Sequence, residues 1–196
     1  MEIQDPQRRE ETQLISLCQK GDRAAFERLY HRYARDVFTM ALRMVNSQEL
    51  AEEVTQEVFI SVYKNIKNFQ FQSAFTTWLY RIVYRRAADQ FRKLKKYQEK
   101  TVLYSGEEDN PAILEVRDPG DNPSENALKR ERNRMIEQAI AELSPKQRAI
   151  MVLRYIQQLS YEEIAEILGC RIGTVKSRLN RAHKTMETKL NELDIF

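Results

Sequence analysis

Leu159-Ser-Tyr-Glu-Glu-Ile-Ala-Glu-Ile-Leu-Gly169, continued as Cys170-Arg-Ile-Gly-Thr-Val-Lys-Ser-Arg-Leu179, is the stretch whose reading decides the fold. Ser160 and Glu163 form a capping box: the serine oxygen accepts from an orphan N–H of the first turn, and the glutamate reaches back to the serine N–H. Gly169 is a helix stop, because glycine reaches positive φ without a Cβ penalty. Beyond the turn, Val175, Leu179, Ala182, Met186, Leu190 and Leu193 recur at helical spacing and define the buried stripe of a last helix. A short capped helix, a glycine turn and a second amphipathic helix predict a helix-turn-helix. The polar side of the second helix carries Lys176, Ser177, Asn180, Arg181 and Lys184, and between Arg171 and Lys184 there are five bases and no acid. Such a face suits a DNA major groove, where Lys and Arg neutralise phosphates and Arg, Lys and Asn pair with base edges.

Working towards the N-terminus, Ser144-Pro145-Lys146-Gln147 marks another helix start, with an N-cap serine, proline at the first helical position and a capping-box glutamine. The stretch from Thr101 to Asn126 holds three of the five prolines, two of the five glycines, and seven acids against one base. A segment of that composition buries too little apolar surface to offset its ordering entropy, and it reads as a linker. The block before it shows three helical stripes. The first is Phe26, Leu29, Tyr30, Tyr33, Val37, Ala41 and Val45; the second is Leu50, Val54, Val58, Val62 and Ile66. The third is Phe75, Trp78, Leu79, Ile82 and Val83, extending towards Phe91 and Leu94. Three stripes imply a small bundle around a shared core. The expected fold is therefore all-α: two helical domains, 1–98 and 125–196, joined by an acidic flexible linker at 99–124.

Charge is sorted along this chain. Trp78 to Lys100 holds eight bases and two acids, interleaved with Trp78, Tyr80, Tyr84, Phe91 and Tyr97. Aromatic faces beside a cationic track suit unstacked bases, although Trp78 and Phe91 also read as core residues. Asn46 to Phe59 has four acids and no base, with Glu49, Glu53 and Glu57 on one helical line. That stripe is either solvated or meets a basic partner. The overall net charge of +3 conceals these asymmetries.

The composition excludes several classes. Five Gly and five Pro in 196 residues disfavour turn-rich β architectures. Cys18 and Cys170 make no disulfide framework and no metal signature. His31 and His183 are the only histidines; neither lies in an HExxH pattern, and no phosphate-cradling glycine loop occurs, so no enzyme activity, metal site or cofactor is expected. Met1 to Glu11 is charged, which argues against a secretory signal, and no apolar run approaches the ~20 residues of a membrane span. A cytoplasmic protein is expected.

Three pieces together resemble one family. Glu49-Leu-Ala-Glu-Glu-Val-Thr-Gln-Glu-Val-Phe59 is similar to the acidic helix with which bacterial sigma factors of the extracytoplasmic-function type dock on the clamp of core RNA polymerase. Phe75-Thr-Thr-Trp-Leu-Tyr-Arg-Ile82 resembles the region 2 segment that recognises and opens the promoter −10 element, and the stretch quoted first resembles the region 4 helix-turn-helix that reads the −35 element.

The resemblance implies a role for each patch. Glu49, Glu52, Glu53, Gln56, Glu57 and Phe59 would contact core RNA polymerase. Phe75, Thr76, Trp78, Tyr80, Arg81, Tyr84, Arg85, Arg92 and Lys93 would lie near −10 DNA. Arg171, Thr174, Lys176, Ser177, Arg178, Asn180, Arg181 and Lys184 would meet −35 DNA, with Arg154 reaching it from the flank. Arg85 stands where family members commonly carry Asn, which leaves the exact −10 preference open, and Asn180 occupies a position that varies in the family, so the −35 sequence does not carry over. The linker is either a tether or a mimic of nucleic-acid charge threaded through polymerase. The implied partners are core RNA polymerase, promoter DNA and an anti-sigma factor, membrane-anchored for many family members, with a free chain that is a monomer and does not itself insert into membrane. Two other readings fit the residues alone: an autonomous helix-turn-helix regulator that binds promoters without polymerase, and a helical enzyme carrying a nucleic-acid module, against which the missing catalytic cluster argues.

Overall fold

A computed structural model describes the backbone of residues 6–101 and 139–192. Every regular element among them is helical: α1 (Pro6–Gln19), α2 (Arg23–Val45), α3 (Gln48–Asn65), a 3-10 turn (Ile66–Asn68), α4 (Phe75–Thr101), α5 (Pro145–Met151), a π-helical turn (Val152–Ile156), α6 (Tyr161–Leu168) and α7 (Ile172–Glu192). Most of the expected linker, 102–124, lies outside the described residues, as does Leu193; α4 runs through the linker's first three positions.

The element boundaries follow local chemistry. Asp22 caps α2, its carboxylate accepting from the Ala25 N–H at 3.0 Å, and Asn46 ends that helix at φ 54. Ser160 accepts from the Glu163 N–H at 3.1 Å while the Glu163 carboxylate accepts from the Ser160 N–H at 2.8 Å, completing the anticipated capping box. Gly169 closes α6 at φ 61, as its sequence position requires. The helix-turn-helix is α6, the Gly169 turn and α7.

Helix α2 is the axis of the N-terminal unit, contacting α1, α3 and α4. Val54, Val58, Val62 and Ile66 line α3 and the turn after it, and Leu29, Val37 and Ala41 line α2, all essentially without exposure. Tyr30 departs from its expected place: it is 40 % exposed, because the α2 stripe is wider than the contact with α3 and leaves its outer edge to solvent. Helix α1 was not anticipated. Its one-sided burial of Leu14, Ile15 and Cys18 seats it on α2.

The two blocks do not stand apart. Helix α4 packs against α6 of the helix-turn-helix, α5 and the π turn meet α2, and the buried side chains of both blocks form one continuous apolar cluster. Arg148 on α5 joins them. It is only 7 % exposed, and its guanidinium donates to Ile140 O (3.2 Å), Leu143 O (3.3 Å) and Ala141 O within its own block, and to Met44 O (3.1 Å) at the end of α2. Its charge lies 6.0 Å from the Phe91 ring centroid on α4, and burial lowers its pKa.

Removing a buried donor orphans its acceptors, at roughly 1–3 kcal/mol for each group water cannot reach. Arg148→Ala is therefore expected to destabilise the chain by about 2–4 kcal/mol in urea unfolding, the cavity adding to the lost hydrogen bonds. A change under about 1 kcal/mol would show that Arg148 does not tie the blocks together.

Candidate nucleic-acid and partner interfaces

Helix α7 presents its bases as its periodicity requires. Val175, Leu179 and Ala182 are buried against α5 and α6, which turns Lys176, Ser177, Asn180, Arg181 and Lys184 outward. Arg171 is also exposed, while Thr174 and Arg178 are half-buried at the margins. Among the described residues the outward side chains bond along their own helix: Ser177 Oγ donates to Thr174 O (3.0 Å) and Arg181 Nε to Ser177 O (3.3 Å). A solvent-facing row of cations on one helix is geometrically ready for a major groove. Arg154 is placed differently. Its Nη1 donates to Leu159 O at 2.7 Å and its guanidinium lies 5.0 Å from the Tyr161 ring centroid, so it braces the turn before α6.

The acidic stripe of α3 divides into two. Glu53 accepts from Gln90 Nε2 at 3.0 Å, and Glu57, half-buried, faces Arg86 (3.9 Å) and Lys93 (3.7 Å) of α4. Glu49, Glu52 and Gln56 remain exposed. Glu52 and Gln56 border a groove of about 740 Å³ between α2 and α3. Phe59 lies at its floor, 6 % exposed, with its ring 4.7 Å from that of Tyr30. Tyr30, Ile60 (47 %) and Tyr63 (53 %) leave apolar surface open there, and Tyr63 makes an edge contact with Phe26 at 5.0 Å. These apolar residues were not singled out as a site from sequence; the available signal was that Ile60 and Tyr63 lie three apart and off the buried line of α3. Arg35 and Lys64 stand with Glu52 on its margin, so the groove offers an apolar floor with a rim of mixed charge, a shape suited to an amphipathic partner.

The α4 residues fall into three groups. Arg85, Arg92 and Lys93 are exposed; Thr76, Trp78, Arg81 and Tyr84 are half-buried; Phe75 and Tyr80 are in the core. Burial, with Asp36 as a second cause, pushes the Tyr80 hydroxyl up to about 12, so it stays neutral. Arg92 pairs with Asp89. Arg81 reaches across to the helix-turn-helix, its Nη2 donating to Glu166 Oε1 at 2.8 Å and to Glu166 O at 3.0 Å. Thus part of the α4 face is covered by α6. Among the described residues no cluster of His, Cys, Asp and Glu could hold a metal ion, and no helix is long and apolar enough to cross a membrane.

Comparison with known proteins shows the family. Residues 29–97 match the family described as sigma-70 region 2, and residues 133–186 match sigma-70, region 4. The chain is 34 % identical over 179 residues to the ECF RNA polymerase sigma factor SigW of Bacillus subtilis, covering 91 % of this chain and 96 % of that protein. It is 34 % identical over 181 residues to the ECF RNA polymerase sigma-E factor of Haemophilus influenzae, covering 92 % and 95 %. Its fold is similar to that of the sigma factor RpoE in complex with the anti-sigma factor NepR from Bartonella quintana, with TM-score 0.67, 22 % identity and coverage of 85 % and 96 %.

The Arg81–Glu166 pair is partly solvated and contributes little to global stability. Reversing it should act on the contact between units instead. Glu166→Lys is expected to enlarge the radius of gyration in small-angle scattering with the helical content unchanged; identical scattering would show that the pair does not hold α6 on α4.

Proposed function

Because the chain belongs to the extracytoplasmic-function RNA polymerase sigma factors, which direct promoter-specific transcription initiation by core RNA polymerase, we propose how this molecule divides that work among its surfaces. The α2–α3 groove takes the polymerase clamp, with Glu52 and Gln56 on its rim and Phe59, Ile60 and Tyr63 supplying apolar contact. The N-terminal half of α4, from Phe75 to Tyr84, with Arg85, Arg92 and Lys93 along its length, holds the −10 element. The α7 face from Arg171 to Lys184 holds the −35 duplex. The observation that carries this reading is the difference between two exposed surfaces: an acid-free basic face on α7, and an open apolar groove between α2 and α3 beside the exposed acids of α3.

Each surface acts through ordinary physical chemistry. Neutralising phosphates with Lys and Arg releases condensed counterions, so −35 binding should weaken steeply as salt rises. Unpairing −10 bases costs a few kcal/mol, which contacts to the extracted base and the backbone offset. Elements centred at −35 and −10 are about 25 base pairs apart, roughly 85 Å along straight B-DNA at ~3.4 Å per pair. Helix α4, with its 27 residues, is only about 40 Å long, and α6 rests directly on it. The closed arrangement is therefore the form that precedes promoter engagement, and the units separate to span both elements. The acidic linker keeps the separated units at high effective concentration. An anti-sigma partner that retains the closed form fits the same logic, in line with the anti-sigma factor bound to the Bartonella protein of similar fold. We further infer a monomeric free chain, and a promoter set of the stress or envelope-response kind.

Run-off transcription with purified core polymerase tests the whole: transcripts should start at promoters mapped after overexpression only when this chain is added, and their absence at every promoter would sink the reading. Two substitutions separate the surfaces. Ile60→Asp is expected to weaken core binding tenfold or more while sparing −35 duplex affinity, because it places a charge on the open apolar surface of the groove, where a partner would bury it. Lys176→Ala should leave core binding intact, lower −35-dependent initiation and flatten its salt dependence by about one counterion.

A further inference from the structure

Helix α1 lies ahead of the region 2 match, which begins at residue 29, yet one of its side chains reaches the turn that leads into α4. Gln19, the last residue of α1, donates from its carboxamide nitrogen to Ile66 O at 3.0 Å and to Phe69 O at 2.8 Å. Ile66 opens the 3-10 turn after α3, and Phe69 is the residue that leaves it. One amide therefore holds both ends of the turn that leads into α4.

Phe69 passes this restraint on. Its ring is 6 % exposed and touches Phe71 (4.9 Å), Trp78 (5.4 Å) and Phe75 (5.6 Å), the last two being −10 residues of α4. Phe71 sits in the left-handed region at φ 57 with 43 % of its surface exposed. A side chain with a Cβ resists that conformation, and such geometry persists only where the surroundings over-determine it. Gln19 is not what docks α1: Leu14, Ile15 and Cys18 are buried, Tyr33 donates to Glu11, and Arg28 pairs with Glu10 at 3.3 Å.

We propose that Gln19 is a positioning residue for promoter opening: by fixing the Phe69 carbonyl it sets the aromatic cluster that orients Phe75 and Trp78 at the start of α4 and presents Phe71 beside them. The inference rests on the −10 assignment of α4 made above. It also states a role for α1 that the region 2 match does not cover. The chemistry is specific to an amide. Methionine has similar length but no donor, and glutamate would turn acceptor oxygens towards two carbonyls.

The test uses holoenzyme assembled from core RNA polymerase and the full chain, as wild type, Gln19→Met and Gln19→Glu, on a promoter mapped after overexpression. Opening is read as permanganate reactivity of unpaired −10 thymines, alongside affinity for core. Acrylamide quenching of Trp78, the only tryptophan, is read on the free chain. Gln19→Met should lower the opened fraction five- to tenfold, Gln19→Glu should lower it further, core affinity should stay within twofold, and Trp78 should become easier to quench. Wild-type opening in both variants, or core affinity falling in step with opening, overturns the proposal. If wild-type holoenzyme leaves the −10 thymines unreactive, the −10 assignment itself fails and this inference fails with it.

Discussion

A buried positive charge whose hydrogen bonds run to backbone carbonyl oxygens is the constraint on which the arrangement of this molecule turns. Isolated, the Arg148 guanidinium would be very costly to bury. It is tolerable here because it sits between two helix C-termini, that of α2 at Met44 and that of the helical turn at 139–141, where unpaired carbonyls concentrate partial negative charge. Each terminus also needs donors for its last carbonyls, so one side chain meets two demands. Because α2 is the axis of the N-terminal unit and α5 supports α7, this contact fixes the angle at which the helix-turn-helix lies on α4. The Arg81–Glu166 pair and the α4–α6 packing follow from that angle.

The same geometry links surfaces that the proposed function uses apart. Glu166 occupies Arg81, and α6 covers part of the α4 face, while the α2–α3 groove and the outward face of α7 stay open. On the proposed assignment, polymerase and −35 DNA approach surfaces that are exposed from the start, and the −10 surface is the one that becomes fully available on rearrangement. Order of access is built into which faces the closed form covers.

Local structure was largely legible in the residues. Ser160, Glu163 and Gly169 announce their helix ends because capping is a short-range interaction, and the α7 stripe from Val175 to Met186 places its bases correctly because helical geometry leaves no other choice. What escaped reading is long-range. Arg148 on a helix resembles any surface arginine; only the neighbouring C-termini, one of them about a hundred residues away, make burial possible. Tyr30 followed the periodicity of a core residue and yet faces solvent, since periodicity gives the direction of a side chain but not the width of what it meets. Helix α1 has too few apolar residues to declare itself, and its Gln19 gains meaning only from two carbonyls brought to it by α3 and the turn that follows.

The single apolar cluster shared by both units has a bearing on lifetime. When the units part, side chains from α4, α5 and α6 that were sealed together meet water, and local stability falls in both halves at once. On the proposed mechanism, polymerase and promoter bind the parted form and restore what it lost, by mass action. A chain that parts with neither at hand is the species a cellular protease meets first, since cleavage follows the population of opened states. The shared core therefore makes the persistence of the working form depend on its occupation, a clock that runs only while the molecule is idle.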